Sequence, residues 1–352
     1  MSKAARVVAV VLGGAFASCI FARLFAHAGA AATWHALGSG GPFVVLAPLP
    51  FAIGMAIDSC GTIALLRALG RRTTLAQMLP VRIASEALHL SIPAGFVASD
   101  TATAVLLARS GVPVADGIVA SIARKWLVTR THAAYIALGA LAGLPALAAL
   151  SRRLLGGGAL PWIVLASAAI PLGASWAIGA GLLGRSTFAA IHRALARLPS
   201  ARLGRWLEAR RGQATATDLQ VARLRAATRA TTAAALWFFA GWCVEALESV
   251  LLLHLVGADV PVRSVFAIEG GLSLVRSLAV VAPSGLGVVD LGYATVLPAL
   301  GADPGTATAF VLLKRAKEIA WVATGYVILA MMRRRAPAPA LEGAAWVEGA
   351  GG

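Results

Sequence analysis

Charge is scarce in this chain: Asp, Glu, Lys and Arg make up 13% of its 352 residues, against roughly 25% in ordinary soluble domains. That scarcity excludes a soluble globular domain, and 59% apolar residues with a mean hydropathy of +0.80 exclude a disordered one. Cysteine is scarcer still. Cys19, Cys60 and Cys243 stand inside apolar runs with no CxxC spacing, so neither a disulfide framework nor a zinc site is expected. Each reads as a small buried apolar residue. Acids are few as well, 15 against 31 Lys and Arg, for a net charge of +16. In a soluble protein that excess would suggest nucleic-acid binding. Here the bases cluster between apolar runs, which points to membrane orientation and to no nucleic-acid partner.

Motifs of hard chemistry are missing. There is no HExxH, DDxxD, P-loop or GxSxG, and the PSG at 283–285 lacks the His a lipid-phosphatase motif requires, because Leu286 stands there. The histidines (His27, His35, His89, His132, His192 and His254) are scattered without metal-ligand spacing. The expectation is therefore a protein that is not an enzyme, with no catalytic residue, metal or cofactor.

What is present is length of apolar run. A membrane span needs roughly 20 mostly apolar residues. Such runs cover about 7–26, 43–66, 131–150, 159–184 and 230–257, and a sixth at 306–330 carries a charged patch. The first reads as a retained span and not as a cleaved signal peptide, since Arg23 follows it without a small-residue cleavage site. Lys3 and Arg6, the ten arginines between 185 and 229, and Arg333 to Arg335 put both termini and a basic linker (185–229) on the cytoplasmic side. The tail 331–352 is expected to be disordered and cytoplasmic.

Two segments do not fit simple spans. Residues 73–110 have two cytoplasmic ends and are broken by SIPAG (91–95), whereas 264–305 have two extracytoplasmic ends and are broken by APSGLG (282–287). Each predicts a re-entrant helical hairpin. Irregular backbone at membrane depth is tolerated only beside protein or a wet cavity, so two breaks imply a cavity between them. At a constant offset of 190 residues Pro93 meets Pro283, Gly95 meets Gly285, Asp100 meets Asp290, Arg124 and Lys125 meet Lys314 and Arg315, and Asp58-Ser59 meets Glu248-Ser249. The sequence thus predicts an all-α, polytopic membrane domain over 1–330: an inverted repeat of span, re-entrant hairpin and span, with halves at 43–150 and 230–330. In total it has about six full spans and two hairpins. Inverted repeats with broken helices are the architecture of many secondary transporters.

Ionisable groups in spans cost on the order of 3 kcal/mol or more, so they usually face the interior and serve a purpose. The first half carries Asp58, Arg82, Glu86, Asp100, Arg124, Lys125 and Arg130; the second carries Glu245, Glu248, Glu269, Arg276, Asp290, Lys314, Arg315, Lys317 and Glu318. Arg276, Lys314 and Arg315 flank the Gly-rich break at Pro283, Gly285 and Gly287. Free N–H groups there, with guanidinium forks, suit a lipid phosphate. Asp290, Glu269 and Glu248, with Asp58, Arg124 and Lys125 of the first half, complete the candidate substrate-binding set. The competing reading is that charges such as Arg82 with Glu86, or Lys314 with Glu318, pair and only lock helices together.

The segments EGGLSLVRSLAVVAPSGLGVVDLGY (269–293) and LLKRAKEIAWVATGYVIL (312–329), with the weaker LSIPAGFVASDTATAVLLARSG (90–111), resemble flippase-like integral membrane proteins. These are related to the transmembrane region of lysylphosphatidylglycerol synthetase/flippase, and the nearest branch is associated with bacterial hopanoid biosynthesis. The family pattern of Pro, Gly-Leu-Gly and an acid falls on Pro283, Gly285, Leu286, Gly287 and Asp290, and its basic helix on Lys314 and Arg315. Asp290 stands where Glu is commoner, which keeps the charge and shortens its reach. With only about 20 tail residues left for a soluble aminoacyl-transferase domain, lipid aminoacylation by this chain is not expected. The resemblance implies transfer of a phospholipid or lipid-linked anionic headgroup between leaflets of the bacterial inner membrane. The alternative is a non-catalytic accessory subunit partnering a lipid-synthesis or lipid-glycosylation enzyme.

Overall fold

A computed structural model describes residues 22, 23, 26, 29–92, 95–181, 211–279 and 283–335. Most of the expected span 7–26, Pro93, most of the basic linker and the tail from 336 onward lie outside the described residues. Regular structure among the described residues is entirely helical. In chain order the helices are α1 Ala30–Ser39, a 3-10 segment Gly41–Leu46, α2 Leu49–Ala68, α3 Leu75–Ser91, α4 Gly95–Ala108, α5 Val114–Ala142, α6 Leu144–Leu155, α7 Leu160–Ser167 and α8 Ala169–Gly181. After these come α9 Arg211–Ala226, α10 Thr228–Leu255, α11 Val262–Leu278, a 3-10 turn Pro283–Gly285, α12 Val288–Ala299 and α13 Pro304–Arg335.

Local chemistry explains the boundaries around the two breaks. A capping box starts α3: the Gln77 N–H donates to Thr74 Oγ1 at 3.3 Å and the Thr74 N–H to Gln77 Oε1 at 3.0 Å. It ends at Ile92, whose extended backbone (φ −124°, ψ 145°) is what a following proline imposes. In the second break Ser284, Gly285 and Gly287 all have positive φ (54°, 64° and 84°), a left-handed run that glycine allows cheaply and serine does not. Helix α12 then starts with Asp290 Oδ2 accepting the Gly287 N–H at 2.7 Å. Asp303 caps α13 by accepting from the Gly305 N–H (2.9 Å), the Thr306 N–H (3.0 Å) and the Thr306 hydroxyl (2.6 Å). That hydroxyl first, and then the two N–H groups, hold the Asp303 carboxyl below the usual carboxylate range. The cap therefore contributes at neutral pH and is lost as acid protonates it.

Three described segments are long and apolar enough to cross a membrane: Gly41–Ala68, Leu160–Gly181 and Thr228–Leu255, in agreement with the expected spans 43–66, 159–184 and 230–257. The expected span 131–150 falls on a bent pair of helices that is long and apolar enough only when the two are taken together. Helix α5 runs unbroken from Val114 past Arg124, Lys125 and Arg130, and meets α6 at a bend of 79°. Proline at the start of α6 ends the ladder there, and Gly143 admits the backbone of α11 so closely that a Cβ would lie 2.8 Å from Arg263 O. Helix α13 is a single helix of 32 residues with its charged patch inside. Val114 and Pro304, which begin α5 and α13, are 190 residues apart, and the starts of α3 and α11, and of α4 and α12, keep that offset to within three residues.

The distribution of polarity is inverted relative to a soluble protein. Lys314, Arg315 and Lys317 are buried, while Ile319 on the same helix is 70% exposed and Trp176 is 76% exposed. An apolar outside around a charged inside is the arrangement a bilayer selects. Small residues let the helices approach. At Gly61, where α2 crosses α10, a Cβ would lie 2.5 Å from Phe238 Cε1. Gly61→Ala should cost about 1 to 3 kcal/mol by overpacking, read as a lowered unfolding midpoint in detergent. Phe238→Leu in the same chain should recover part of the loss, and a Gly61→Ala protein as stable as wild type would show that these two helices do not touch there.

Candidate functional site

The two breaks meet at one cavity of about 550 Å³, lined by Ile92 and Gly95 from the first and by Ser284 and Gly285 from the second. Phe51, Phe238 and Trp242 supply aromatic wall. Its charged lining balances: Asp58, Glu86, Asp100, Glu245, Glu248 and Glu318 face Arg82, Arg124, Lys125, Arg276, Lys314 and Lys317.

On the first-half side Asp58 is the hub. It accepts from Arg82 Nε at 2.7 Å and from Arg124 NH2 at 2.7 Å, so one carboxylate joins α2, α3 and α5. Arg82 also meets Glu86 at 2.6 Å one turn on, the pairing the four-residue spacing suggests. The Arg124 guanidinium lies 4.0 Å from Asp100 and stands over the Phe238 ring at 6.0 Å.

In the second half Lys314 spends all three of its donors. Its Nζ reaches Ser249 Oγ, Glu269 Oε1 and Tyr293 OH, each at 2.7 Å, and so ties α13 to α10, α11 and α12. Arg315 holds Asp290 with two parallel bonds, Nε to Oδ1 at 2.8 Å and NH2 to Oδ2 at 3.0 Å, the fork geometry that lysine lacks. Its NH1 donates to Glu318 Oε2 at 2.5 Å and to Ser284 Oγ at 3.3 Å, and the Ser284 hydroxyl donates to Glu318 at 3.1 Å. This explains how a serine is held at positive φ in the tip of the break. Lys317 pairs with Glu248, and Arg276 with Glu245.

Of the residues singled out from sequence, Asp58, Arg124, Lys125, Glu248, Arg276, Lys314 and Gly285 line the cavity. Glu269, Gly287, Asp290 and Arg315 stand behind that wall as its supports, and only the backbone of Pro283 is described. The suggested Lys314–Glu318 pair is corrected: Lys314 turns to Glu269, and Glu318 is taken by Arg315. Arg82, Glu86, Glu245, Lys317 and Glu318 belong to the lining but were not in the site set, although their charge within apolar runs was the available signal. His132 and Trp242 had no such signal. They stack with ring centroids 4.2 Å apart, and His132 Nε2 lies 2.7 Å from Ser273 Oγ. Among the described residues no three His, Cys, Asp or Glu side chains gather as a metal site.

These pairs differ in how far they reach the cavity. The side chains of Lys317 and Glu248 are 4% and 2% exposed, whereas those of Arg276 and Glu245 are 25% and 30% exposed. Removing one member of a pair as deeply buried as Lys317–Glu248 should cost about 3 to 5 kcal/mol, because an unpaired charge remains in a dry interior. Replacing both, Glu248→Leu with Lys317→Met, should recover most of that loss, and a double-mutant cycle of unfolding in detergent measures the difference. Single variants as stable as wild type would show that the pair does not hold the helices.

The balanced cavity, the paired breaks and the buried basic helix are the geometry against which relatives can be compared. Neither curated proteins nor solved structures give a match to this chain. A family model described as the lysylphosphatidylglycerol synthase TM region matches residues 8–332. That match covers nearly the whole chain and includes both breaks, the cavity lining and all but the end of helix α13, so the chain belongs to the family of the lysylphosphatidylglycerol synthase transmembrane region.

Proposed function

We propose that this protein is a flippase-like lipid transporter, not an enzyme, and that it moves a phospholipid or lipid-linked anionic headgroup between the leaflets of a bacterial inner membrane. The observation that carries the reading is the single cavity onto which both helix breaks and the buried charges of both halves converge. A headgroup crossing a bilayer needs polar partners throughout its path, and a lined cavity between broken helices supplies them. In this reading the 190-residue correspondence of helix starts reflects an inverted repeat with six full spans, two re-entrant hairpins and cytoplasmic termini. The two hairpins alternately open the cavity to either side. The segments around 269–293 and 312–329 favour the hopanoid-associated branch, and so a lipid of that pathway as cargo.

Exposure supports a division of roles in this reading. Arg276 and Arg124 present the guanidinium groups most open to the cavity, at 25% and 15% exposed, and would meet the phosphate. Lys314 and Arg315, at 7% and 10%, would keep the helices and the second break in place. Gly285 must stay bare, since a Cβ there would sit 3.2 Å from Arg276 Cγ and 2.8 Å from Val289 Cγ2 at a φ of +64°.

One observation favours the second reading, an accessory subunit for a lipid-synthesis or lipid-glycosylation enzyme. Arg82, Arg124, Arg276, Lys314, Arg315 and Lys317 each already hold a carboxylate, so the network is stable without cargo. A leaflet-resolved assay of labelled lipid in vesicles containing purified protein separates the two. Transport predicts that Arg276→Gln slows transfer about tenfold, the loss of one charge-assisted phosphate contact, with an unfolding midpoint near wild type. Gly285→Ala should slow it as well. No transfer by the wild-type protein with any anionic phospholipid would favour the accessory reading. Wild-type rates in Arg276→Gln would move the headgroup elsewhere in the cavity.

A further inference from the structure

A second cleft lies away from the central cavity, in the turn between α2 and α3. It has a volume of about 610 Å³ and is lined by Arg67, Gly70, Arg71, Arg72, Thr73 and Thr74. Its backbone is held by turn hydrogen bonds. Gly70 at φ +80° reverses the chain, with the Gly70 N–H donating to Arg67 O and the Arg71 N–H to Leu66 O, each at 2.9 Å, a glycine-ended helix terminus. Arg71 is pinned from outside the turn, its Nε 2.5 Å from Asp116 Oδ2, and Asp116 is buried at the start of α5.

Of the three guanidinium groups at the cleft, that of Arg71 alone meets a carboxylate among the described residues. Arg67 and Arg72 make no ion pair among the described residues, so the cleft keeps two unneutralised positive charges. The independent observation is Thr73. It is 4% exposed and lines the cleft, yet its Oγ1 is buried without a hydrogen-bond partner among the described residues. A buried hydroxyl is normally satisfied, and one left over in the lining of a cleft that also holds two unpaired cations suits an acceptor with negative charge.

We propose that this cleft is a binding site for a phosphate group, with Arg67 and Arg72 supplying charge and forked donors, Thr73 a hydroxyl donor, and Arg71 a fixed wall. Two uncompensated charges match a phosphomonoester dianion better than a phosphodiester. The group can come from an anionic phospholipid headgroup or from free phosphate. The site is separate from the cavity of the transport reading and stands whether or not that reading does. It sits at the base of the first hairpin, where a bound anion would tie α2 to α3.

The test is calorimetric titration of the full chain in detergent with dihexanoylphosphatidic acid, dihexanoylphosphatidylglycerol and inorganic phosphate. Phosphatidic acid should bind more tightly than phosphatidylglycerol. Equal binding of inorganic phosphate identifies a soluble ligand, and much weaker binding identifies a lipid; either supports a phosphate site. Arg67→Gln and Arg72→Gln should each weaken binding about tenfold, the loss of one charge-assisted bond. Arg152→Gln, an exposed arginine outside the cleft, should not. Thr73→Val keeps the protein stable, because it removes a hydroxyl that had no partner, but it should weaken binding about fivefold, the loss of one neutral bond. Thr73→Ser should restore it. No binding of any of the three, unchanged binding in the two cleft arginine variants, or an equal loss in Arg152→Gln would overturn the proposal.

Discussion

The structure depends on one electrostatic constraint: a charge taken out of water must meet an opposite charge and fill its remaining hydrogen bonds. Asp58 satisfies that constraint for α2, α3 and α5 together, and Lys314 for α10 through α13. Dispersion between apolar faces cannot fix the rotation of one helix against another in a bilayer, because lipid is as apolar as leucine. A carboxylate shared between two guanidinium groups can, since a turn of either helix would strand a charge. The Arg315–Asp290 fork extends this control to the second break and, through Ser284 and Glu318, to the strained residue at its tip.

Much of this organisation was visible as a list of exceptions. In so apolar a chain the rare residues carried the information: Pro and Gly marked both breaks, Arg and Lys bounded the apolar runs, and acids within them identified the buried network. The choice of partner was not visible. Lys314 and Glu318 share a helix face, so periodicity alone pairs them. The approach of Glu269, Ser249 and Tyr293 from three other helices is a tertiary fact that outweighs it. The bend between α5 and α6 was hidden for a similar reason. Hydropathy runs straight through Gly143 and the proline after it, and the close backbone of α11, which the sequence does not show, completes the reason the chain turns there. Neutral members of the wall, such as Trp242, leave no trace in a sequence where apolar residues are the background.

The network grades from rigid to accessible. Lys317–Glu248 is sealed, Lys314–Glu269 and Arg315–Asp290 nearly so, and Arg276–Glu245 and Arg124–Asp58 open toward the cavity. Such a gradient lets one set of residues build the scaffold while another of the same chemical types stays available to exchange partners. It also reconciles the locking and the transport readings of the same charges, which need not be alternatives for each residue separately.

The positions of the charges also decide how the protein responds to ionic strength. Mobile ions screen exposed charges beyond about 10 Å at 0.1 M salt and leave buried pairs largely untouched. Arg67 and Arg72 are exposed and open to solution ions, whereas Lys317 and Glu248 are closed to them. Raising the salt concentration thus weakens attraction at the edge of this molecule while leaving its interior architecture in force, so the same amino-acid chemistry has a salt-sensitive part and a salt-blind part within one chain.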